Sequence, residues 1–167
     1  SIRRQRQMCI RDSLLYGEFH ENSKLKTSMP YMEPIYNILE KNHGKVIYFD
    51  FWARWCPPCL AEMEPLKQLR SKYSTKDLVI YSICVSEPKE EWEECLNEYS
   101  LKNRGIECIY ASDYFGKDNL QKIRKQWKID RMPYYLLLNR KGQIVDFGTT
   151  ARPSNPQFIS RIEEALK

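Results

Sequence analysis

The sequence predicts an α/β domain built around a mixed central sheet, and three observations support this prediction. Helix-like and strand-like patterns alternate along most of the chain. Residues 46–52 form a nearly continuous run of apolar, β-branched and aromatic side chains, which is typical of a strand covered by helices on both faces. Near the C-terminus, two strand-like segments flank residues 139–142, and a helix-like pattern follows. Alternation that ends in a hairpin indicates parallel and antiparallel strands in one sheet.

The first half of the predicted domain consists of a helix, a strand and a second helix. Apolar residues recur at helical spacing from Tyr31, and the Asn-His-Gly sequence at 42–44 ends that helix. The strand 46–52 follows. A second helical pattern begins near Leu60, and Pro65 should kink it because proline lacks a backbone donor and clashes with the preceding turn.

The second half continues the alternation. A strand is predicted over 78–85, with Ser86 as the N-cap of the next helix and Pro88 in its first turn. Helical spacing then places four residues on one apolar face: Trp92, Cys95, Leu96 and Tyr99. The remaining predicted elements are a strand over 106–111, a helix through 120–127, a hairpin of strands 134–138 and 143–147, and a final helix opened by 154–156.

The length allows one ordinary domain with an extension at its N-terminus. We predict an extension or linker over residues 1–30 and a single domain over 31–167. Residues 8–13 (Met-Cys-Ile-Arg-Asp-Ser) match the translation of a transposase adapter used in sequencing libraries, so residues 1–13 are either an artefact or a native basic segment. No apolar run approaches the roughly 18 residues of a membrane span.

The formal net charge of +5 is concentrated at the N-terminus. Without residues 1–13, 23 basic residues face 21 acidic ones, so the predicted domain is close to neutral. A nearly neutral domain gives no basis for binding nucleic acid, and we expect no nucleic-acid partner.

Two cysteines lie where the strand 46–52 gives way to the following helix, in Trp55-Cys56-Pro57-Pro58-Cys59. A helix N-terminus directs backbone N–H groups and the positive end of its dipole at the first sulfur, which favours the thiolate over the thiol. The thiolate is the nucleophile in disulfide exchange. Pro57 and Pro58 suit the first helical turn, where a missing donor costs little. The pattern predicts a redox-active dithiol, with an inert pair or half of a metal site as the alternative.

The other potential metal ligands are scattered. A metal site would need a second cysteine pair or nearby histidines, but His20 and His43 lack ligand spacing to any cysteine, so neither a metal nor an organic cofactor is expected. Cys84, Cys95 and Cys108 fall at apolar-patterned positions, which predicts a packing role. A second disulfide between Cys84 and Cys108 stays open, if those residues lie on neighbouring strands.

Residues 51–59 (Phe-Trp-Ala-Arg-Trp-Cys-Pro-Pro-Cys) resemble the active-site signature of the thioredoxin superfamily. Glu62, three residues after the second cysteine, is similar to the TlpA/ResA-like branch of periplasmic thiol–disulfide oxidoreductases. The resemblance covers residues 41–167, and residues 88–111 resemble the helix–strand insertion of that branch. It implies a thioredoxin fold, in which helices flank a mixed central sheet.

The same resemblance implies an enzyme that exchanges electrons with protein disulfides and dithiols. Cys56 would be the nucleophile, and Cys59 would resolve the mixed disulfide. A reductase direction, a membrane-linked electron donor and a location in the bacterial periplasm or cell envelope are also implied. A thiol oxidase or isomerase with the same site, and a redox-silent binding module, are the alternatives.

Two acidic residues are expected to handle protons beside the cysteines. Asp50 interrupts the apolar strand, and burial would raise its pKa and let it accept a proton from Cys59. Thioredoxins carry an acid at the matching position. Glu62 lies one helical turn from Cys59, and in the branch that it resembles this glutamate tunes the cysteine pair. The alternatives are an Asp50 that reaches solvent at a strand end and a solvated Glu62.

Substrate contacts are expected from the surface around the cysteines. Trp55 is the expected contact tryptophan, next to the Pro57-Pro58 pair, whereas the other three tryptophans should pack in the interior. Met132-Pro133 resembles the superfamily's cis-proline, which faces the cysteine pair and presents the preceding backbone to an incoming peptide. The alternative is an ordinary trans proline that begins a strand.

Overall fold

A computed structural model of the chain describes residues 29–167. Nearly all of the predicted extension, including the adapter-like segment 1–13, lies outside the described residues. Within 29–167, helices and strands alternate as predicted. The helices are α1 (Glu33–Lys41, preceded by the 3₁₀ turn Pro30–Met32), α2 (Pro57–Ala61), α3 (Met63–Lys72), α4 (Lys89–Glu98), α5 (Ala111–Phe115), α6 (Lys117–Gln126) and α7 (Pro156–Leu166). The strands are β1 (Val46–Trp52), β2 (Leu78–Cys84), β3 (Ile106–Tyr110), β4 (Tyr134–Leu138) and β5 (Ile144–Gly148).

The strands form one mixed sheet in the order β3-β2-β1-β4-β5. β1 is parallel to β2, and β2 is parallel to β3, whereas β4 runs antiparallel to both β1 and β5. β1 therefore lies at the centre of the sheet, and all of its residues are buried. The predicted mixed sheet with helices on both faces is confirmed.

Side chains alternate across β1, so the two faces of the sheet build different apolar clusters. Phe49 and Phe51 pack in one cluster with side chains of α1 and α6. Tyr48 packs in the other cluster with side chains of α3 and α7. Asp50 is two residues from Tyr48 and therefore points to the same face, towards the helices that follow the cysteines.

A third cluster lies at the C-terminal end of β1 and encloses both cysteines of the predicted dithiol. Its members include Trp52, Cys56 and Cys59, and α4 contributes Cys95 and Leu96. The helix–strand unit formed by α4 and β3 corresponds to the predicted insertion at 88–111. It adds the edge strand β3 and packs its helix beside the cysteines.

The helix after the cysteines is divided at Glu62 into α2 and α3. Pro65 explains the break, because it has no N–H to donate to the Ala61 carbonyl and its ring clashes with that group. The predicted kink is present, but it lies three residues before the proline. Glu62 consequently sits in a turn, and its amide donates to the Cys59 carbonyl at 3.2 Å.

The predicted N-cap role of Ser86 is wrong. α4 begins at Lys89 with Pro88 as its N-cap and no capping side chain. Ser86 Oγ instead accepts a hydrogen bond from the Arg54 backbone N–H at 2.8 Å, which ties the end of β2 to the loop before Cys56. Helix α5 has no counterpart among the predicted elements, because five residues are too few to show helical periodicity.

Within residues 29–167, every helix is too short or too polar to cross a bilayer.

Candidate active site

Cys56 and Cys59 lie at the start of α2, just beyond the C-terminal end of the central strand. They form a disulfide with their Cα atoms 5.3 Å apart. Cys56 is the N-cap of α2, and its Sγ accepts a hydrogen bond from the Cys59 backbone N–H at 3.3 Å. Pro57 and Pro58 fill the first two helical positions, so Cys59 carries the first N–H of the helix. The predicted placement of the pair between a strand and a helix is confirmed.

The residues around the disulfide differ sharply in exposure. Cys56 and Cys59 are 3% and 2% exposed, whereas Trp55 is 70% exposed. Pro57 and Pro58 are exposed as well. An exposed aromatic ring beside buried sulfur atoms offers apolar surface to another molecule at the point where exchange would occur.

Behind the cysteines, the sheet supplies a buried polar layer. Asp50 on β1 lies opposite Ser82 on β2 and opposite Tyr135 on β4. Ser82 Oγ accepts a hydrogen bond from Nε1 of Trp52, which is fully buried as predicted. The Tyr135 hydroxyl is buried and finds no hydrogen-bond partner among the described residues. In the low dielectric of this buried layer, a nearby charge acts strongly on each polar group.

Asp50 is 3% exposed, so the alternative of a carboxylate that reaches solvent is wrong. Burial, and secondly the charge of Glu62, raise the pKa of Asp50 from 3.8 to about 8. The carboxyl group is therefore mostly protonated at neutral pH. A group that titrates near pH 8 can exchange a proton in the range where thiols ionise. Transfer from Cys59 to Asp50 stays a prediction.

Glu62 is also buried, at 7% exposure, so the alternative of a solvated helix glutamate is wrong. Its Oε1 accepts a hydrogen bond from the Ser154 backbone N–H at 2.9 Å, and its Oε2 accepts one from Ser154 Oγ at 2.8 Å. These donors stabilise a negative charge in a place where an unpaired carboxylate would be costly. Ser154 has no counterpart among the predicted site residues.

The Met132–Pro133 peptide bond is cis and lies just before β4. β4 pairs with β1, and Met132 packs against the cluster that contains Cys56 and Cys59. The segment therefore borders the cluster that encloses the disulfide. Contact between this segment and a substrate stays a prediction.

Three further cysteines within the described residues are free thiols: Cys84, Cys95 and Cys108. Cys84 lies opposite Tyr110 in the sheet, and Cys108 lies opposite Ser82, so the open possibility of a Cys84–Cys108 disulfide is not realised. Burial raises the pKa of all three thiols, to about 11 for Cys95 and for Cys108. They are packed, un-ionised thiols, as the packing prediction implies.

Among residues 29–167, no three potential ligands of the His, Cys, Asp and Glu types come together in an arrangement that could hold a metal ion.

Comparison with known proteins gives a consistent set of matches. Residues 33–166 match the Redoxin family model. The thiol-disulfide oxidoreductase ResA of Geobacillus thermodenitrificans is 33% identical over 122 residues, which are 72% of this chain and 64% of that protein. ResA of Halalkalibacterium halodurans is 26% identical over 134 residues, 77% of this chain and 66% of that protein.

A solved structure extends the likeness to the fold. The solution structure of a candidate thiol-disulfide oxidoreductase from Bacteroides vulgatus is 34% identical, with a TM-score of 0.57 over 77% of this chain and 78% of that one. The similarity to ResA is partial in length, because the chain spans 54% of the Bacillus thuringiensis ResA and 66% of the Halalkalibacterium halodurans protein.

Proposed function

The chain belongs to the redoxin family and is a ResA/TlpA-like member of the thioredoxin superfamily, and we propose that it is a thiol–disulfide oxidoreductase acting on protein disulfides. The observation that carries the proposal is the Cys56–Cys59 pair at the start of a helix, beside the exposed Trp55 and in front of two buried carboxyl groups. The names of the ResA relatives support the same class of reaction.

In the proposed reaction, the Cys56 thiolate attacks one sulfur of a substrate disulfide, and the substrate S–S bond breaks as the mixed disulfide forms. The departing sulfur takes up a proton. Cys59 then loses its proton and attacks the Cys56 sulfur, which releases the second substrate thiol and closes the Cys56–Cys59 disulfide. Two electrons pass from the protein to the substrate.

Asp50 and Glu62 are the proposed proton handlers of this cycle. In its ionised form, Asp50 is the proposed acceptor of the Cys59 proton, because its pKa of about 8 lies near that of a thiol. Glu62 acts on Asp50 rather than on the substrate, since its charge helps to raise the pKa of that residue.

The proposed substrate surface combines residues on both sides of the disulfide. Trp55 offers an exposed ring, and the neighbouring Pro57 and Pro58 are exposed. Met132 packs against the cluster that contains the cysteines, and the backbone of Met132 and Pro133 would pair with an extended substrate segment.

We further propose a reductase direction, with a membrane-linked donor that re-reduces Cys56–Cys59 in the bacterial periplasm or cell envelope. The resemblance to the TlpA/ResA-like branch supports this direction and this location. An oxidase or isomerase would use the same residues at a different reduction potential.

The test is the reduction potential of the Cys56–Cys59 couple, measured by equilibrating the protein in graded thiol–disulfide buffers. A value near about −270 mV supports a reductase, whereas a value near about −120 mV contradicts that direction and favours an oxidase. A second outcome is that Cys56 and Cys59 cannot be reduced and reoxidised, and that all cysteines react equally slowly with thiol reagents at neutral pH. That outcome contradicts the enzymatic function and favours a redox-silent binding module.

Replacement of Trp55 by alanine should weaken substrate binding without destabilising the fold. Because this side chain is 70% exposed, we expect a change of less than about 0.5 kcal/mol in the free energy of unfolding. The KM for a protein disulfide should rise by about 10-fold, as for truncation of an aromatic contact residue. Turnover of a small-molecule disulfide, which offers little apolar surface to the ring, should change little.

Tyr114→Ala is the matched control. Among residues 29–167, Tyr114 is the other exposed large aromatic residue, at 47%, but it lies on α5, outside the cysteine cluster. An equal loss of substrate affinity in both variants would contradict the contact role of Trp55.

A further inference from the structure

An exposed serine holds the buried carboxylate behind the cysteines. Ser154 is itself exposed, yet its N–H and its hydroxyl donate to the two oxygens of Glu62 at 2.9 and 2.8 Å. Within residues 29–167, both hydrogen bonds to this carboxylate come from that single residue. Ser154 lies 92 residues from Glu62 along the chain, so the contact joins two separate parts of the fold.

The loop that carries Ser154 is anchored independently of the cysteine helix. The Asn155 side chain caps α7 by accepting a hydrogen bond from the Gln157 N–H at 3.1 Å. The Asn155 side-chain amide also donates to the Thr150 carbonyl at 2.8 Å, close to the end of β5. Because the loop is fixed at both ends, the two donors of Ser154 are directed at Glu62 before the site takes part in exchange.

Glu62 is the neighbour of Asp50 whose charge matters most. The other groups on which the charge of Asp50 acts are Tyr48 on its own strand, Tyr135 on β4, Cys84 on β2 and Cys108 on β3. Burial raises the pKa of each of these four groups, so they are neutral at neutral pH. The charge of Arg152 acts on the Tyr135 hydroxyl and opposes the rise of its pKa. The charge that reaches Asp50 is therefore the charge that Ser154 holds in place.

We propose that Ser154 is a positioning residue that holds the buried Glu62 carboxylate in place and so sets the pH at which Asp50 exchanges its proton. The proposal rests on the proposed function, in which Asp50 accepts the proton that Cys59 releases. Ser154 makes no contact with the substrate in this role.

Removal of the hydroxyl should lower the pH at which Asp50 ionises. With one donor lost, the Glu62 carboxylate is held less firmly and can move away from Asp50. Its negative charge then acts on Asp50 more weakly. For Ser154→Ala we expect the ionisation midpoint of Asp50 to fall by at most about one pH unit, because Ser154 acts on Asp50 only through the charge of Glu62.

A double-mutant cycle separates positioning from a general effect on the structure. Glu62→Gln removes the charge itself and should lower the Asp50 midpoint by at least as much as Ser154→Ala. In the Glu62→Gln background, Ser154→Ala should cause no further shift, because Ser154 acts only through Glu62. Ser154→Thr keeps a hydroxyl and should restore the wild-type midpoint.

The measurement is the side-chain carboxyl ¹³C shift of Asp50 against pH, with the resonance identified by its loss in Asp50→Asn. Ser160→Ala is the matched control, since Ser160 is an exposed serine of α7 whose hydroxyl donates to the Pro156 carbonyl at 3.3 Å. The proposal is overturned if Ser154→Ala leaves the midpoint unchanged while Glu62→Gln moves it, or if the Ser154→Ala shift persists without Glu62.

The titration needs no substrate, so the positioning role of Ser154 and the proposed function can be contradicted independently of each other. A protein without exchange activity in which Ser154→Ala lowers the midpoint would contradict the oxidoreductase and support the positioning. A fully active protein without the shift would overturn the positioning alone.

Discussion

Replacement of Cys56 by serine should abolish disulfide exchange, whereas replacement of Cys59 by serine should stop the reaction at the mixed disulfide. Cys56 is the N-cap of α2 and accepts the first helical N–H, which is the position that favours a thiolate. Without Cys56 no mixed disulfide can form, and we expect the rate of substrate reduction to fall by about 10³-fold or more. Without Cys59, attack still occurs but the mixed disulfide cannot be resolved.

The trapped species gives the measurement. Cys59→Ser incubated with a protein disulfide should yield a covalent complex that is visible on a non-reducing gel and is released by excess thiol. Cys108→Ser is the control, because Cys108 is a free thiol whose Sγ donates weakly to the Leu101 carbonyl and whose pKa is raised to about 11. A complex that forms with Cys56→Ser but not with Cys59→Ser would reverse the two roles.

The parts of this fold that the sequence predicts are those encoded by local patterns. The strand 46–52 has the predicted bounds because a run of apolar residues is the direct mark of a central strand. The final helix begins where Asn155 and Pro156 predict it, and Asn155 caps it. The cysteine pair falls at a helix start because two prolines leave few other local conformations.

The parts that escape prediction depend on contacts between distant residues. The local sequence favours Ser86 as an N-cap, yet its hydroxyl oxygen accepts a hydrogen bond from the backbone N–H of Arg54, 32 residues earlier in the chain. Ser154 looks like a part of a helix start, and nothing near it shows that its donors reach Glu62. Burial of Glu62 likewise depends on a loop that the local helical pattern does not contain. The sequence predicts that each of the two buried carboxyl groups handles protons, but their coupling depends on the assembled sheet and loop.

The buried carboxyl of Asp50 should make the protein less stable as the pH rises. Its pKa is raised from 3.8 to about 8 in the folded protein. Below about pH 4 the group is protonated in both the folded and the unfolded chain. Between about pH 4 and pH 8 the carboxyl is ionised in the unfolded chain but protonated in the folded protein, so each rise in pH favours the unfolded chain further. Above about pH 8 the folded protein carries the buried charge as well. The folded protein therefore loses stability as the pH rises from about 4 to about 8.

Asp50→Asn removes the titration and keeps the shape, so this variant should become the more stable protein at high pH. Three pH units between pH 5 and pH 8 correspond to about 4 kcal/mol at 1.36 kcal/mol per unit. We expect the free energy of unfolding of Asp50→Asn, relative to wild type, to grow by roughly that amount between pH 5 and pH 9. The measurement is denaturant unfolding of both proteins at both pH values with the Cys56–Cys59 disulfide intact.

Asp130→Asn provides the comparison, because it makes the same substitution at an exposed aspartate and so measures the effect of the change in residue type alone. A difference between wild type and Asp50→Asn that is the same at pH 5 and pH 9 would mean that Asp50 is already ionised in the folded protein at pH 5. In that event the carboxylate could still accept a proton from Cys59, but it would hold that proton too weakly to be matched to a thiol. The stability curve thus tests the premise of the proton-transfer step without any substrate.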